Sequence, residues 1–123
     1  MKIVCVLSLA LLVGCASEVH RVPTQFSAST DAAVIVLDRD LTVTPTLGDP
    51  ATLKAGSAWV RVGQIPEGPV YAIKNDVFMV KGRHAHEARC VVADDGKLIG
   101  FFLPVERAFV PVDPQVQLPI NRK

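Results

Sequence analysis

The chain has almost no excess of either charge, and cysteine occurs only three times. Its 13 lysine and arginine residues are balanced by 12 aspartate and glutamate residues, which leaves a formal net charge of +1. A surface with so little net charge and no run of like charges attracts neither nucleic acid nor anionic lipid strongly. We therefore expect no nucleic-acid partner.

Helical periodicity is also missing beyond residue 15, apart from a single turn at residues 105–108. Turn signals instead separate short apolar runs, as is typical of an all-β domain. The expected strands span residues 32–37, 41–44, 58–62, 70–74, 77–80, 87–93 and 97–103. We predict an all-β fold, a small barrel or sandwich of about six to seven short strands. The short strands joined by glycine turns resemble a small SH3-like barrel.

Three local features refine this fold prediction. Residues 32–37 and 41–44 flank a short polar turn and suggest a first hairpin. Asp94-Asp95-Gly96 suggests a second hairpin, because glycine at the third loop position tolerates a left-handed backbone. Residues 97–103 are apolar on both faces, with Gly100 allowing a bulge or a close backbone approach, so we expect them to form the central strand.

The amino terminus has the pattern of an export signal. Lys2 is followed by an apolar run from Ile3 to Val13, too short to span a membrane as a helix of the mature protein. Leu12-Val13-Gly14-Cys15 resembles the lipobox of bacterial lipoproteins. The resemblance implies cleavage before Cys15 and a covalent lipid on that residue, and we expect no other cofactor. Because Ala16 rather than aspartate follows the cysteine, it also implies attachment to the outer membrane.

These signals predict four segments. Residues 1–14 are the lipoprotein signal peptide, and residues 15–30, with few apolar side chains, are a lipidated tether. Residues 31–110 are the β domain. Three prolines divide residues 111–123 into pieces too short for a helix, so we expect a proline-rich tail that is extended or mobile.

One remaining cysteine and two histidines are the candidate reactive or metal-binding groups. With Cys5 removed and Cys15 lipidated, Cys90 is left alone in an apolar strand, where we expect it to be buried. His84 and His86 lie two residues apart and would share one face of a strand, which makes them the candidate metal ligands. Two ligands do not complete a site, so we expect no metal site here and favour two solvated histidines at a hairpin rim.

No catalytic set is evident, because no serine elbow and no cysteine with an adjacent base can be found. We therefore expect a protein that is not an enzyme. Aromatic side chains on neighbouring strands suggest a different role: Trp59 alternates with Val60 and Val62, which predicts Trp59 toward the surface. Trp59, Arg61 and Tyr71 would then form an interaction patch.

Together these features predict an envelope lipoprotein anchored in the outer membrane and facing the periplasm. Its β domain would be a structural or accessory protein-interaction module of an outer-membrane or secretion assembly, with another envelope protein as partner. The alternative is a periplasmic module that binds a small ligand, a metal or an enzyme that it inhibits.

Overall fold

The computed structural model describes residues 20–120, and these residues form an all-β fold. The twelve strands of this part of the chain are β1 (Val22–Pro23), β2 (Ser27–Ala28), β3 (Val34–Val36), β4 (Leu41–Val43), β5 (Ala51–Leu53), β6 (Ala58–Ile65), β7 (Gly68–Ile73), β8 (Met79–Lys81), β9 (Ala85–Glu87), β10 (Arg89–Val92), β11 (Lys97–Leu103) and β12 (Ala108–Gln117). The predicted signal peptide and the predicted lipidation site, Cys15, lie outside the described residues.

One curled antiparallel sheet dominates the fold. Its strands follow the order β1-β12-β11-β10-β7-β6-β2, and β3 also pairs with β6. Two small sheets, β4 with β5 and β8 with β9, complete the described chain. This architecture confirms the predicted all-β class and fits a small barrel or sandwich. No helix in the described part of the chain has the length and apolar character needed to cross a membrane.

Side chains on the two faces of the curled sheet form two separate cores, because successive residues of a strand point to opposite sides. Strand β11 contributes to both: Leu98 and Phe101 belong to the larger core, and Phe102 belongs to the smaller one. The smaller core contains Ile65, Val70, Val91, Phe102 and Phe109, with Phe26, Val62 and Ile99 packed against it. Strand β11 is therefore interior, with β10 and β12 as its neighbours.

Residues 22–28, which we call the strap, connect the two edges of the sheet. β1 pairs with β12 through Val22 and Phe109, and β2 pairs with β6 through Ser27 and Gln64. Between them, the ring of Phe26 stacks on Phe102, with the centroids 5.1 Å apart. Part of the expected tether, residues 15–30, therefore belongs to the sheet. Low apolar content did not reveal this, because an edge strand pairs through its backbone.

The carboxyl-terminal boundary also differs from the expectation. β12 continues to Gln117, so residues expected in an extended or mobile tail form part of the last long strand. Opposite β11, the pairing moves from Gly100 with Pro111 to Leu98 with Val116. The intervening residues of β12, 112–115, form an irregular bulge, and Pro114 lies there without interrupting a regular ladder.

Local turn predictions had mixed outcomes. The hairpin at Asp94-Asp95-Gly96 is confirmed, since it joins β10 to β11 and Gly96 has a φ of 87°. The first hairpin is wrong, because β3 pairs with β6 and β4 pairs with β5. Residues 104–107 form an isolated turn, closed by a hydrogen bond from the Arg107 N–H to the Leu103 carbonyl, and no helix continues from it. The close approach expected at Gly100 is confirmed, because a Cβ there would meet the Val110 carbonyl oxygen and the Phe109 ring.

Candidate functional site

A cleft of about 450 Å³ lies between the strap and the sheet. It is lined by Thr24, Gln25, Phe26, Arg89, Phe102, Pro104 and Arg107. These residues come from the strap, from β10 and β11, and from the turn that follows β11. The cleft volume is in the range of small-ligand sites, which are roughly 300–1,000 Å³.

Pairing of β10 with β11 positions one wall of the cleft. Arg89 lies directly opposite Phe102 in the register of the two strands, so both side chains project from the same face of the sheet. Phe26 covers Phe102 from the strap, with an angle of 13° between the ring planes. A guanidinium group therefore lies beside a flat apolar surface.

The turn at residues 104–107 supplies the other arginine. Arg107 has a φ of 56°, which is uncommon for a residue with a Cβ, and its N–H donates to the Leu103 carbonyl at 2.8 Å. The carbonyl of Arg107 accepts a hydrogen bond from the Thr24 N–H at 3.0 Å. The backbone carrying Arg107 is thus fixed by both the sheet and the strap.

Among residues 20–120, two charged residues line the cleft, and both are arginines. A terminal nitrogen of Arg89 lies 3.8 Å from a carboxylate oxygen of Glu87, which offsets part of its charge. The Nε of Arg89 is buried and has no hydrogen-bond partner in the described structure. The Thr24 hydroxyl donates to Glu67 at 2.8 Å. The two arginines therefore give the lining positive charge, which the neighbouring carboxylates of Glu87 and Glu67 partly offset, and the Nε of Arg89 remains an unused donor.

A buried histidine lies next to this turn and pairs with a glutamate that belongs to it. Nδ1 of His86 on β9 lies 2.7 Å from Oε2 of Glu106, the residue that precedes Arg107. His86 is only 6% exposed, so the expectation of a solvated histidine at a hairpin rim is wrong for this residue. Its burial follows from the contact between β9 and the turn, which sequence spacing does not report. His84 is exposed in the bend before β9.

The described residues contain no group of three or more histidine, cysteine, aspartate or glutamate side chains that could hold a metal ion. The two candidate ligands also have different surroundings, since His86 is buried against Glu106 and His84 lies at the surface. The structure therefore does not bring His84 and His86 together with a third ligand within residues 20–120.

The expected interaction patch does not form, because Trp59 is only 1% exposed. Its indole N–H donates to the Ser57 hydroxyl at 2.9 Å, and its ring meets Phe78 edge-on with the centroids 5.4 Å apart. Arg61 and Tyr71 do lie opposite each other on β6 and β7, where they line a smaller cleft of about 170 Å³. The prediction had the right neighbours but assigned Trp59 to an uncovered face.

Cys90 is buried in β10, as predicted. Burial raises the pKa of its thiol well above the ordinary value, because the thiolate would lose its hydration. A protonated thiol in the core is neither a nucleophile nor a metal ligand.

Sequence reasoning missed both arginines of the cleft. The available signal for Arg89 was a charged residue that begins the otherwise apolar strand β10. Arg107 had no comparable signal, since its position depends on contact between the turn and the strap. Comparison of the chain with models of protein families, with curated proteins and with solved structures found no match in any of the three.

Proposed function

We propose that the protein is a non-catalytic binding module of the bacterial cell envelope, anchored to the outer membrane by lipid on Cys15 and facing the periplasm. It acts as a structural or accessory component, and it holds an anionic group of another envelope protein in the cleft beneath the strap. The observation that carries this proposal is the placement of Arg89 and Arg107 beside the stacked rings of Phe26 and Phe102.

The cleft chemistry favours binding over turnover. Guanidinium groups donate to carboxylates and phosphates in a fixed planar geometry, and aromatic faces supply apolar contact area. The lining residues named above include no carboxylate or imidazole that would transfer a proton. Recognition of an anionic, partly apolar group is therefore the activity that these side chains support best.

The anchor and the cleft would lie close together. Six residues separate Cys15 from Val22, where the strap begins to pair with the sheet, so seven Cα–Cα steps join the two. A fully extended chain covers at most about 3.6 Å per residue, so the strap would remain within about 25 Å of the lipid. Binding would then take place near the membrane surface, where a partner embedded in or attached to the same membrane is concentrated.

The anchor is tested by comparing the wild-type chain with the Cys15→Ser variant in cells labelled with radioactive palmitate. We expect label and membrane association for the wild type and neither for the variant. Absence of label from the wild type, or unchanged membrane fractionation of the variant, would refute the anchor.

The partner is tested by crosslinking in intact cells, followed by purification of the tagged full-length chain from detergent-solubilised envelope. We expect one stoichiometric partner with the wild type and its loss when Arg89 and Arg107 are both replaced by alanine. Arg39→Ala removes the same charge at an exposed turn outside the cleft and is the matched control. A partner that is retained by the double variant would refute binding through the cleft.

The cleft volume also supports a second candidate, a periplasmic module for a free small ligand. Calorimetric titration of the full-length chain with zinc and copper tests the metal version of this alternative. Binding that is lost when His84 and His86 are both changed to alanine would support a metal-binding role, and a flat titration would oppose it.

A further inference from the structure

The charge of the cleft narrows the class of anion that it accepts. Arg107 and Arg89 supply two guanidinium groups, and two carboxylates partly offset their charge: Glu87 lies beside Arg89, and Glu67 accepts a hydrogen bond from the lining residue Thr24. A carboxylate carries one negative charge, whereas a phosphate monoester carries close to two at neutral pH. The remaining positive charge therefore matches a single carboxylate more closely than a phosphate.

The apolar wall requires that this carboxylate be attached to an apolar group. The Phe26 and Phe102 rings and Pro104 lie in the same cleft as both arginines. A ligand whose anionic group reaches the guanidinium groups would therefore place its nearest atoms against aromatic carbon. The terminal residue of a polypeptide has this arrangement, since its side chain and its free carboxylate are attached to the same Cα.

The turn that borders the cleft also carries an exposed apolar side chain. Val105 belongs to the turn that supplies Pro104 and Arg107, and it is 76% exposed. An open cleft with an exposed valine on its supporting turn can hold a chain end while the preceding residues lead away over the surface. A cleft of about 450 Å³ admits such an end but not the face of a folded domain.

We infer that the cleft beneath the strap binds the carboxyl terminus of a partner protein whose last residue is aromatic or aliphatic. This inference rests on the proposed function, binding through the cleft, and adds the chemical class of the bound group. Arg89 and Arg107 hold the terminal carboxylate, and the last side chain packs on Pro104 and on the partly exposed ring of Phe26, which itself covers Phe102. Capture of a free chain terminus is an established mode of peptide recognition.

The inference is tested by calorimetric titration of the full-length chain in detergent with the peptide acetyl-Ala-Ala-Phe as its free acid. The C-terminal amide of the same peptide is the matched probe, because it retains the side chain and lacks the charge. We expect the amide to bind about tenfold to a hundredfold more weakly, as hydrogen bonds to charged groups contribute on that scale.

Variants of the two arginines locate the binding. Arg107→Ala and Arg89→Ala should each weaken binding of the free-acid peptide by a similar factor. Arg39→Ala should leave the affinity for this peptide unchanged. Arg107 is exposed, so its removal leaves the core intact. Arg107→Lys keeps the charge but lacks the planar fork, and we expect intermediate affinity. Circular dichroism of each variant verifies that it is folded.

Three outcomes would overturn the inference. Equal binding of the acid and the amide would exclude carboxylate recognition, and tighter binding of phenyl phosphate would assign the cleft to phosphate. Binding of 3-phenylpropanoate as tightly as the peptide would identify a site for free small acids. If no peptide binds but the crosslinked partner is still lost on replacement of both arginines, the inference fails while the proposed function stands.

Discussion

Replacing Phe26 by alanine should destabilise the whole domain, although the sequence places this residue in a tether. Phe26 lies in the strap between β1 and β2, and its ring stacks on Phe102 in the smaller core. Alanine would remove this contact and uncover the Phe102 ring from the side of the strap. A true tether residue would have no effect on the free energy of unfolding.

The size of the effect follows from the partial burial of Phe26. Replacing a fully buried phenylalanine by alanine lowers the free energy of unfolding by roughly 3–5 kcal/mol. Phe26 retains some exposure, so we expect a loss nearer to 2 kcal/mol, including the stacking contribution of about 0.5–1.5 kcal/mol. For a domain of this size, such a loss corresponds to a decrease of about 8–16 °C in Tm.

Urea unfolding of the full-length chain provides the measurement, with Trp59 fluorescence and far-ultraviolet circular dichroism as independent probes. Leu47→Ala is the control, because Leu47 is 63% exposed and its truncation should change stability by no more than about 0.5 kcal/mol. The loss of stability for Phe26→Leu should lie between the losses for Leu47→Ala and Phe26→Ala. A loss for Phe26→Ala no larger than that for Leu47→Ala would refute the strap as a structural element.

Four further predictions concern buried side chains and their partners. Trp59, the single tryptophan, should emit at short wavelength and resist quenching by iodide until the protein unfolds, and strong quenching in the folded state would contradict its burial. Glu106→Ala should lower the free energy of unfolding by roughly 1–3 kcal/mol, because it leaves the buried His86 without this partner, and an unchanged urea midpoint would show that the pair contributes nothing. Because burial raises its pKa, the Cys90 thiol should stay unmodified by iodoacetamide at pH 8 in the folded protein and react in urea, as measured by mass spectrometry of the Cys90 peptide. The raised pKa also makes stability depend on pH: the stabilising contribution of the protonated Cys90 is complete below the pKa of the unfolded thiol and declines as the pH rises above it. A urea midpoint that rises with pH in the wild type but not in a Cys90→Ala control would contradict the raised pKa.

The candidate site was the part of the molecule least accessible from the sequence. Arg89 and Arg107 are separated by 17 residues and a whole strand, and no spacing rule links them. They meet in one cleft because β10 pairs with β11 and because the strap contacts the turn after β11. The residues favoured instead, Trp59 with Arg61 and Tyr71, do share a face of the sheet, but that face is covered at Trp59.

Local patterns alone determined the all-β class, the hairpin at residues 94–96, the two apolar faces of β11 and the burial of Cys90. Each depends on alternation or turn chemistry within a few residues of the chain. The tertiary structure decided the rest: which face covers Trp59, how residues 22–28 join both edges of the sheet, and how β12 continues past Pro111. Alternation shows which side chains share a face, but the pairing of distant strands determines which face is buried and where a cleft remains open.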